Sequence, residues 1–586
     1  MEQNEKLQML RHSMAHVLAK AVTNLYDGVK LTIGPAIDDG FYYDFDMQNK
    51  LTPDDFEKIE NEMLQIIKKG EVFERKEVSK SEALELFKEN EYKCELINEL
   101  PENETISIYY LGENWFDLCR GPHVENTFKL QNVGFKISRV SGAYWRGSEK
   151  NKMLQRVYVY AFASKKDLSE HIQKVNEALK RDHNKIGREL GFFTTVDYIG
   201  QGLPIMLEKG SKVLQTMQRW VEDEEEKRGY ILTKTPFMAK NDLYKISGHW
   251  FHYKENMFIL GDEEKDKEVF ALRPMTCPFQ FQVYLNKPRS YKDLPMRLNE
   301  TSTLFRNEAS GEMHGLIRLR QFTISEGHIA CLPSQLEDEF KNCLDLAVYF
   351  LKTLGLDEDI TYRFSKWDPN NKEKYIGSAE QWEKTQDRMR EILTDLNIEF
   401  SEEEGEAAFY GPKLDIQIKN VFGKEDTLIT IQIDFQLAEK FGMEYTDSDG
   451  TKKYPYIIHR TSIGCYERTL ALLIEKYAGA LPTWLCPVQV MVANISDASL
   501  EYCKEVANKL REAGIKVKED YRNEKINYKI REASNDKIPY QLIIGEKEMQ
   551  EKTISYRGRK FTQENGISLE SFIEKVCDQI KTKARD

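Results

Sequence analysis

The chain has 586 residues, which at about 150 per domain implies about four domains and excludes a single compact core. Hydrophobic residues make up 40% and charged residues 31%, which excludes a disordered or collagen-like polymer. The net charge of −13 excludes a uniformly basic nucleic-acid coat but leaves local RNA-binding patches open. No apolar run approaches the length of a membrane span. The start, Met1-Glu2-Gln3-Asn4-Glu5-Lys6, lacks the apolar region of a signal peptide, so the expected location is cytoplasmic. Nine cysteines, none in a Cys-x-x-Cys pair, argue against both a disulfide framework and a zinc ribbon.

Residues 1 to about 165 read as mixed α/β. Leu7, Leu10, Met14, Val17, Leu18, Val22 and Leu25 recur at helical spacing. Phe41 to Phe45 and Ser107 to Tyr110 read as strands. His12 and His16 fall one turn apart on the first helix, and Cys119 and His123 share a Gly-Pro turn. Three imidazoles and a thiol could bind zinc or orient a water for hydrolysis, or they could be two unrelated pairs.

Residues 166 to 192 predict a polar helical arm, as a linker or as a surface helix of the first domain. Residues 193 to 482 alternate helix-period and strand-period segments without a βαβ rhythm, which predicts a mainly antiparallel sheet with helices packed on it. No Walker loop or Gly-x-Gly-x-x-Gly after a strand is present. Here Cys277, His328 and His459 offer one thiolate and two imidazoles, the donor set of a zinc with an open position. Arg306 and Glu308 follow a strand, and Arg318 and Arg320 precede the next. Arginines on such a hairpin can clamp phosphates, and a Glu between them can accept from an adenine amine. Arg468 stands in the first turn of an apolar helix, where the macrodipole disfavours a cation, and this favours an anion contact over a structural role.

Residues 484 to 586 read as βαβαβ, a small α/β domain. Between 514 and 531, Lys516, Lys518, Arg522, Lys525, Lys529 and Arg531 interleave with Tyr521 and Tyr528. That pattern suits single-stranded RNA or a solvated helix face.

Several rare strings then occur in one order: His12-Ser13-Met14-Ala15-His16, Asp117 to His123, Ser247-Gly248-His249-Trp250, Met275-Thr276-Cys277-Pro278, Phe305-Arg306-Asn307-Glu308, Phe409-Tyr410-Gly411-Pro412-Lys413, Ile431-Gln432-Ile433-Asp434-Phe435 and Ile458-His459-Arg460. Together they resemble the bacterial-type threonyl-tRNA synthetases, class II aminoacyl-tRNA synthetases, over essentially the whole chain.

The resemblance implies an α+β multidomain protein. It would have an α/β editing domain (1–165), a helical linker (166–192), a class II catalytic domain with an antiparallel sheet (193–482) and an α/β anticodon-binding domain (484–586). It implies that threonine, ATP and tRNA(Thr) are joined through a threonyl-adenylate, with magnesium on the phosphates and one zinc per subunit on Cys277, His328 and His459. By the same resemblance Arg306, Glu308, His314, Arg318 and Arg468 contact ATP, and Glu326, Tyr410 and Gln432 contact threonine. His12, His16, Lys93, Asp117, Cys119 and His123 hydrolyse seryl-tRNA(Thr). Gly229-Tyr230 through Pro236 builds a homodimer interface in the catalytic domain.

The chain departs from the family pattern in three ways. It begins at the helix bearing His12, without the usual ubiquitin-like domain ahead of it. It reads Ile324-Ser325-Glu326-Gly327-His328 where Gln-Asp-Asp-Ala-His is usual, and Thr427 stands where another glutamine is expected. The other two readings are an RNA-binding regulator that has lost charging and a stand-alone hydrolase of mischarged tRNA. The intact Arg306, Arg468, Cys277, His328 and His459 argue against both.

Overall fold

The helical spacing near the start produces helix α1 (Glu2–Leu25), on which Met14, Val17, Leu18 and Val22 are fully buried. The computed structural model describes residues 2–101, 104–148, 150–559 and 562–586. Two compact units result, residues 1–177 and 178–586.

The first unit continues with β1 (Gly40–Asp46) and α2 (Phe56–Lys69). Helix α2 buries Ile59, Met63, Ile66 and Ile67 and ends on Lys68 and Lys69, where its dipole favours cations. Next come β2 (Phe73–Val78) and α3 (Glu91–Glu99). The Asn90 side chain caps α3 by accepting from the Lys93 amide, which fixes Lys93 in the first turn. Strands β3 (Ile106–Leu111) and β4 (Phe116–Leu118) join β2 in one antiparallel sheet. Strands β5 (Gly134–Tyr144) and β6 (Met153–Phe162) form another with β1, in the order β1-β6-β5 and again antiparallel.

The polar arm is two helices, α4 (Lys165–Arg181) and α5 (His183–Glu189), broken at Asp182, whose side chain caps α5. The division between units falls inside α4, and Ile186 of α5 belongs to the core of the second unit. There α6 (Glu208–Lys227), β7 (Ile231–Leu232) and α7 (Cys277–Leu285) precede the main sheet.

Its strands are β8 (Met296–Phe305), β9 (Gln321–Cys331), β10 (Ile360–Lys366), β11 (Phe400–Glu404), β12 (Lys413–Lys419), β13 (Glu425–Asp434) and β14 (Tyr456–Cys465). With β7 they run in the order β7-β8-β9-β14-β13-β12-β10-β11. Only the outermost pairs, β7 with β8 and β10 with β11, are parallel. Helices α8 (Leu336–Leu354) and α9 (Tyr466–Lys476) bury Phe340, Leu351, Leu470 and Leu473 in the core this sheet shares.

Gly327 lies in β9 opposite Arg460, whose buried guanidinium bonds Glu225 Oε1 at 2.6 Å. A Cβ on residue 327 would stand 2.6 Å from the Arg460 guanidinium carbon. Gly327→Ala is therefore expected to cost about 1–3 kcal/mol, read as a lower urea midpoint.

The last segment holds β15 (Val490–Asn494), α10 (Leu500–Glu512), β16 (Val517–Asp520), α11 (Ile526–Asn535), β17 (Tyr540–Ile544), β18 (Ile554–Gly558), β19 (Gln563–Ile567) and α12 (Leu569–Thr582). Strands β16, β15 and β17 are parallel, as the βαβαβ pattern predicts. The sheet then extends by two antiparallel strands, β18 and β19, that the periodicity did not reveal.

Candidate active sites

In the first unit the two spaced pairs meet. Cys119 Sγ lies 3.1 Å from His12 Nε2 and 3.2 Å from His123 Nε2. One ligand atom each from His12, His16, Cys119 and His123 lie within 4.8 Å of one another, so the set could hold a metal on distance alone. Behind it Lys93 Nζ is 2.5 Å from Asp117 Oδ1, and both side chains are buried. Tyr43 donates its hydroxyl to Asp117 Oδ2 at 2.5 Å. The carboxylate is thus already neutralised by an ammonium, a setting that adds little attraction for a divalent ion. Burial pushes the Cys119 thiol up to about 12 and keeps it protonated. Burial likewise lowers His12, His16 and His123, so the imidazoles stay neutral and each keeps a lone-pair nitrogen. His16 Nδ1 has no partner although it is buried.

In the second unit Cys277 opens α7, His328 sits on β9 and His459 on β14, strands whose register places the two histidines opposite each other. One ligand atom from each of the three lies within 4.8 Å of the others, and all three residues are buried. His328 Nδ1 donates to Gln280 Oε1 at 2.5 Å, which leaves Nε2 unprotonated, buried and without a partner. His459 Nε2 donates to Asp434 Oδ2 at 2.8 Å, leaving Nδ1 as its lone-pair nitrogen. Outer bonds that set both tautomers are what a metal site requires. Burial, and after it the neighbouring Glu326 and Asp434, hold the Cys277 thiol well above its ordinary range. The orphaned nitrogen and this donor set fit zinc.

The residues expected around threonine gather here. Glu326 Oε2 accepts from the Thr276 amide at 3.2 Å, and its Oε1 is 3.7 Å from His328 Nε2. Tyr410 stacks on His459 with ring centroids 4.7 Å apart and donates to Gln432 Oε1 at 2.6 Å. Arg306 lies over Phe322 at 5.1 Å, and its charge reaches Glu326 and Tyr410.

Of the remaining expected ATP residues, Glu308, His314 and Arg318 lie on the hairpin from β8 to β9 and Arg468 on α9. Glu308 does not stand free for an adenine: Arg318 Nε donates to its Oε2 at 2.9 Å. Arg468 stands in the first turn of α9, as the sequence placed it. Its guanidinium donates to the carbonyls of Ile317, at 2.9 Å, and Thr427, so two backbone acceptors offset the unfavourable helix position. The basic stretch of 514–531 faces outward only in part. Lys516 donates to Thr216 Oγ1 at 2.9 Å, and burial lowers it to about 8. Buried Lys529 is tied to Asn494 Oδ1 at 2.9 Å. These two are packing residues, and the outward-facing set shrinks to Lys518, Arg522, Lys525 and Arg531.

Sequence reasoning missed Tyr43, Ser13 and Gln280. Ser13 Oγ lies 3.1 Å from His123 Nδ1. None of the three has a local signature. Asp434 had one, a carboxylate between Ile433 and Phe435 in a buried strand.

Comparison with known proteins decides the family. The class II tRNA synthetase core domain (G, H, P, S and T) matches residues 253–477, the anticodon binding domain 489–579, and the threonyl and alanyl tRNA synthetase second additional domain 106–158. A threonine–tRNA ligase of Clostridium perfringens (strain SM101 / Type A) is 59% identical over 99% of this chain and 90% of its own length. The chain belongs to the threonine–tRNA ligase family. Another member, from Geobacillus sp. (strain WCH70), is 47% identical over 98% of this chain and 89% of its own length. The crystal structure of the RNA binding domain of threonyl-tRNA synthetase from Cryptosporidium parvum Iowa II is 33% identical, with a TM-score of 0.64. It covers 68% of this chain and 98% of that one. The second unit therefore has a class II synthetase core, and the whole is an α+β multidomain ligase.

Proposed function

We propose that this chain activates threonine on Cys277, His328, Glu326, Tyr410, Gln432 and His459, and proofreads serine on His12, His16, Lys93, Asp117, Cys119 and His123. It joins threonine to tRNA at the expense of ATP, and ATP use brings magnesium with it. The observation that carries the reading is the buried, unpartnered His328 Nε2 beside Cys277 and His459. A zinc there would supply a Lewis-acid position that the amino and hydroxyl groups of threonine can fill and valine cannot.

The protein's own groups do the rest. Arg306, whose charge acts on Glu326 and Tyr410, neutralises the α-phosphate while the carboxylate of threonine attacks it and pyrophosphate leaves. Arg318, His314 and Arg468 hold the rest of ATP, and Glu308 exchanges its Arg318 partner for adenine. Glu326 accepts from the threonine hydroxyl, and Tyr410 and Gln432 orient the amino acid.

Serine differs by one methyl, worth about 1–3 kcal/mol, so a second site must remove it. Neutral His12 and His16 take the proton of the attacking water, while Lys93, held by Asp117, faces the developing charge.

The domain limits follow as 1–165 for editing, 166–192 for the linker, 193–482 for catalysis and 484–586 for the anticodon. The homodimer reading is supported by β7, where Ile231 and Leu232 are 51% and 61% exposed at the edge of the main sheet. Among the described residues no helix is long and apolar enough to cross a membrane. A cytoplasmic location fits the substrates.

Threonine-dependent exchange of pyrophosphate into ATP tests the first half, and its absence in zinc-replete protein would leave the regulator or hydrolase readings. His12→Ala with His16→Ala should spare exchange while seryl-tRNA accumulates. The pH profile adds a sharper test. An ordinary imidazole titrates at 6.5, and burial lowers His12 and His16 below it. The neutral, basic form then persists as pH falls through 6.5, so hydrolysis of seryl-tRNA should stay flat there and decline only at lower pH. A rate that halves at 6.5 would place the base elsewhere.

A further inference from the structure

Among the described residues, the two clusters leave two buried histidines unused, His183 and His249. His183, at the start of α5, sits outside both clusters, with a carboxylate on one ring nitrogen and a backbone amide on the other. Its Nδ1 lies 2.7 Å from Glu475 Oε1, on α9. Its Nε2 accepts from the Leu316 amide at 3.2 Å, in the hairpin between β8 and β9. The carboxylate accepts a hydrogen bond from Nδ1–H and so favours the one neutral tautomer whose Nε2 can accept.

The next residue of the hairpin is held from the other side. Arg468, also on α9, donates to the Ile317 carbonyl at 2.9 Å. The two-residue segment Leu316-Ile317 is thus held at both ends by α9, directly at the Ile317 carbonyl and through His183 at the Leu316 amide. Gly315 completes the fit: its φ is +49°, and a Cβ there would overlap the His183 ring. The held segment lies between His314, whose ring centroid is 5.6 Å from that of His183, and Arg318.

We infer that His183 is a positioning residue for adenylate formation: by fixing the Leu316 peptide it aims His314 and Arg318 at ATP. This rests on the ATP reading of those two residues given above. The helix that carries Arg468 thereby also sets the opposite wall of the nucleotide site, through Glu475 and His183. Leu316 would otherwise bury an unpaired amide, and a loop free to satisfy it elsewhere would move Arg318.

The test is pyrophosphate exchange with ATP and threonine varied separately. His183→Asn keeps a donor for Glu475 and withdraws the acceptor from Leu316. It should raise KM for ATP about tenfold and leave KM for threonine unmoved. His183→Gln, whose amide oxygen can reach the Leu316 amide, should recover most of the loss. Glu475→Met releases the tautomer from the other side and should give the same split, which covers the case in which the Asn variant does not fold. Hydrolysis of seryl-tRNA should be unchanged in all three. Arg318→Ala separates the inference from the reading beneath it. If Arg318→Ala raises KM for ATP while folded His183→Asn and Glu475→Met do not, the inference falls and the ATP reading stands. If Arg318→Ala also leaves KM for ATP unchanged, both fall. Equal shifts in both KM values would reduce His183 to a packing residue and overturn the inference.

Discussion

Cys277→Ala should abolish threonine activation while leaving the hydrolysis of seryl-tRNA intact. The three donors come from α7, β9 and β14, and no two of them lie near each other in the chain. Gln280 and Asp434 set the two imidazole tautomers before any ion arrives. Such preorganisation makes each donor costly to lose, because the remaining two cannot close the coordination shell. Pyrophosphate exchange should fall by about 10³-fold or more, the scale on which removal of a charge-stabilising group acts, and bound zinc should fall with it. The departures at Ile324 and Glu326 bear on the same pocket. Glu326 bonds the Thr276 amide and lies beside His328, so Glu326→Gln should keep the zinc and weaken threonine selectively. Retained zinc together with full activity in Cys277→Ala would remove that residue from the site.

The second large effect belongs to Lys93→Met. Lys93 and Asp117 are each 2% exposed, so bulk solvent does little to replace the lost ammonium. Asp117 would keep only the Tyr43 hydroxyl and the Leu118 amide. Removing one member of a buried pair costs about 3–5 kcal/mol, mostly through the charge left behind. The first unit should unfold at lower urea. Seryl-tRNA hydrolysis should drop by about 10²–10³-fold, because the group facing the developing charge is gone. Pyrophosphate exchange should be untouched. Lys93→Met paired with Asp117→Asn should recover stability without recovering hydrolysis, since the unpaired charge disappears but the ammonium does not return. Recovery of both would make the pair purely structural.

Much of the site was legible from residue types. The His12 and His16 pair, the Cys119 and His123 pair, and the Cys277, His328 and His459 triad carry side chains whose chemistry is narrow, and the fold brings each set within reach. Their supports were not legible. Tyr43 and Gln280 act through single hydrogen bonds to residues 74 and 48 positions away, which no local pattern encodes. His183 is the extreme case, joined to Glu475 across 292 residues. Charge patterning at 514–531 could not show that Lys516 is half-buried and Lys529 buried, both tied by hydrogen bonds. The antiparallel main sheet followed from the absence of a βαβ rhythm. Strands β18 and β19 escaped because β19 is largely exposed and has no alternation to read.

Zinc analysis on purified protein, run beside amino-acid-dependent pyrophosphate exchange, tests the central claim most directly. The account predicts one zinc per chain, exchange with threonine that vanishes on chelation and returns with zinc, and almost none with valine. Full exchange from zinc-free protein, or equal exchange with threonine and valine, would contradict it.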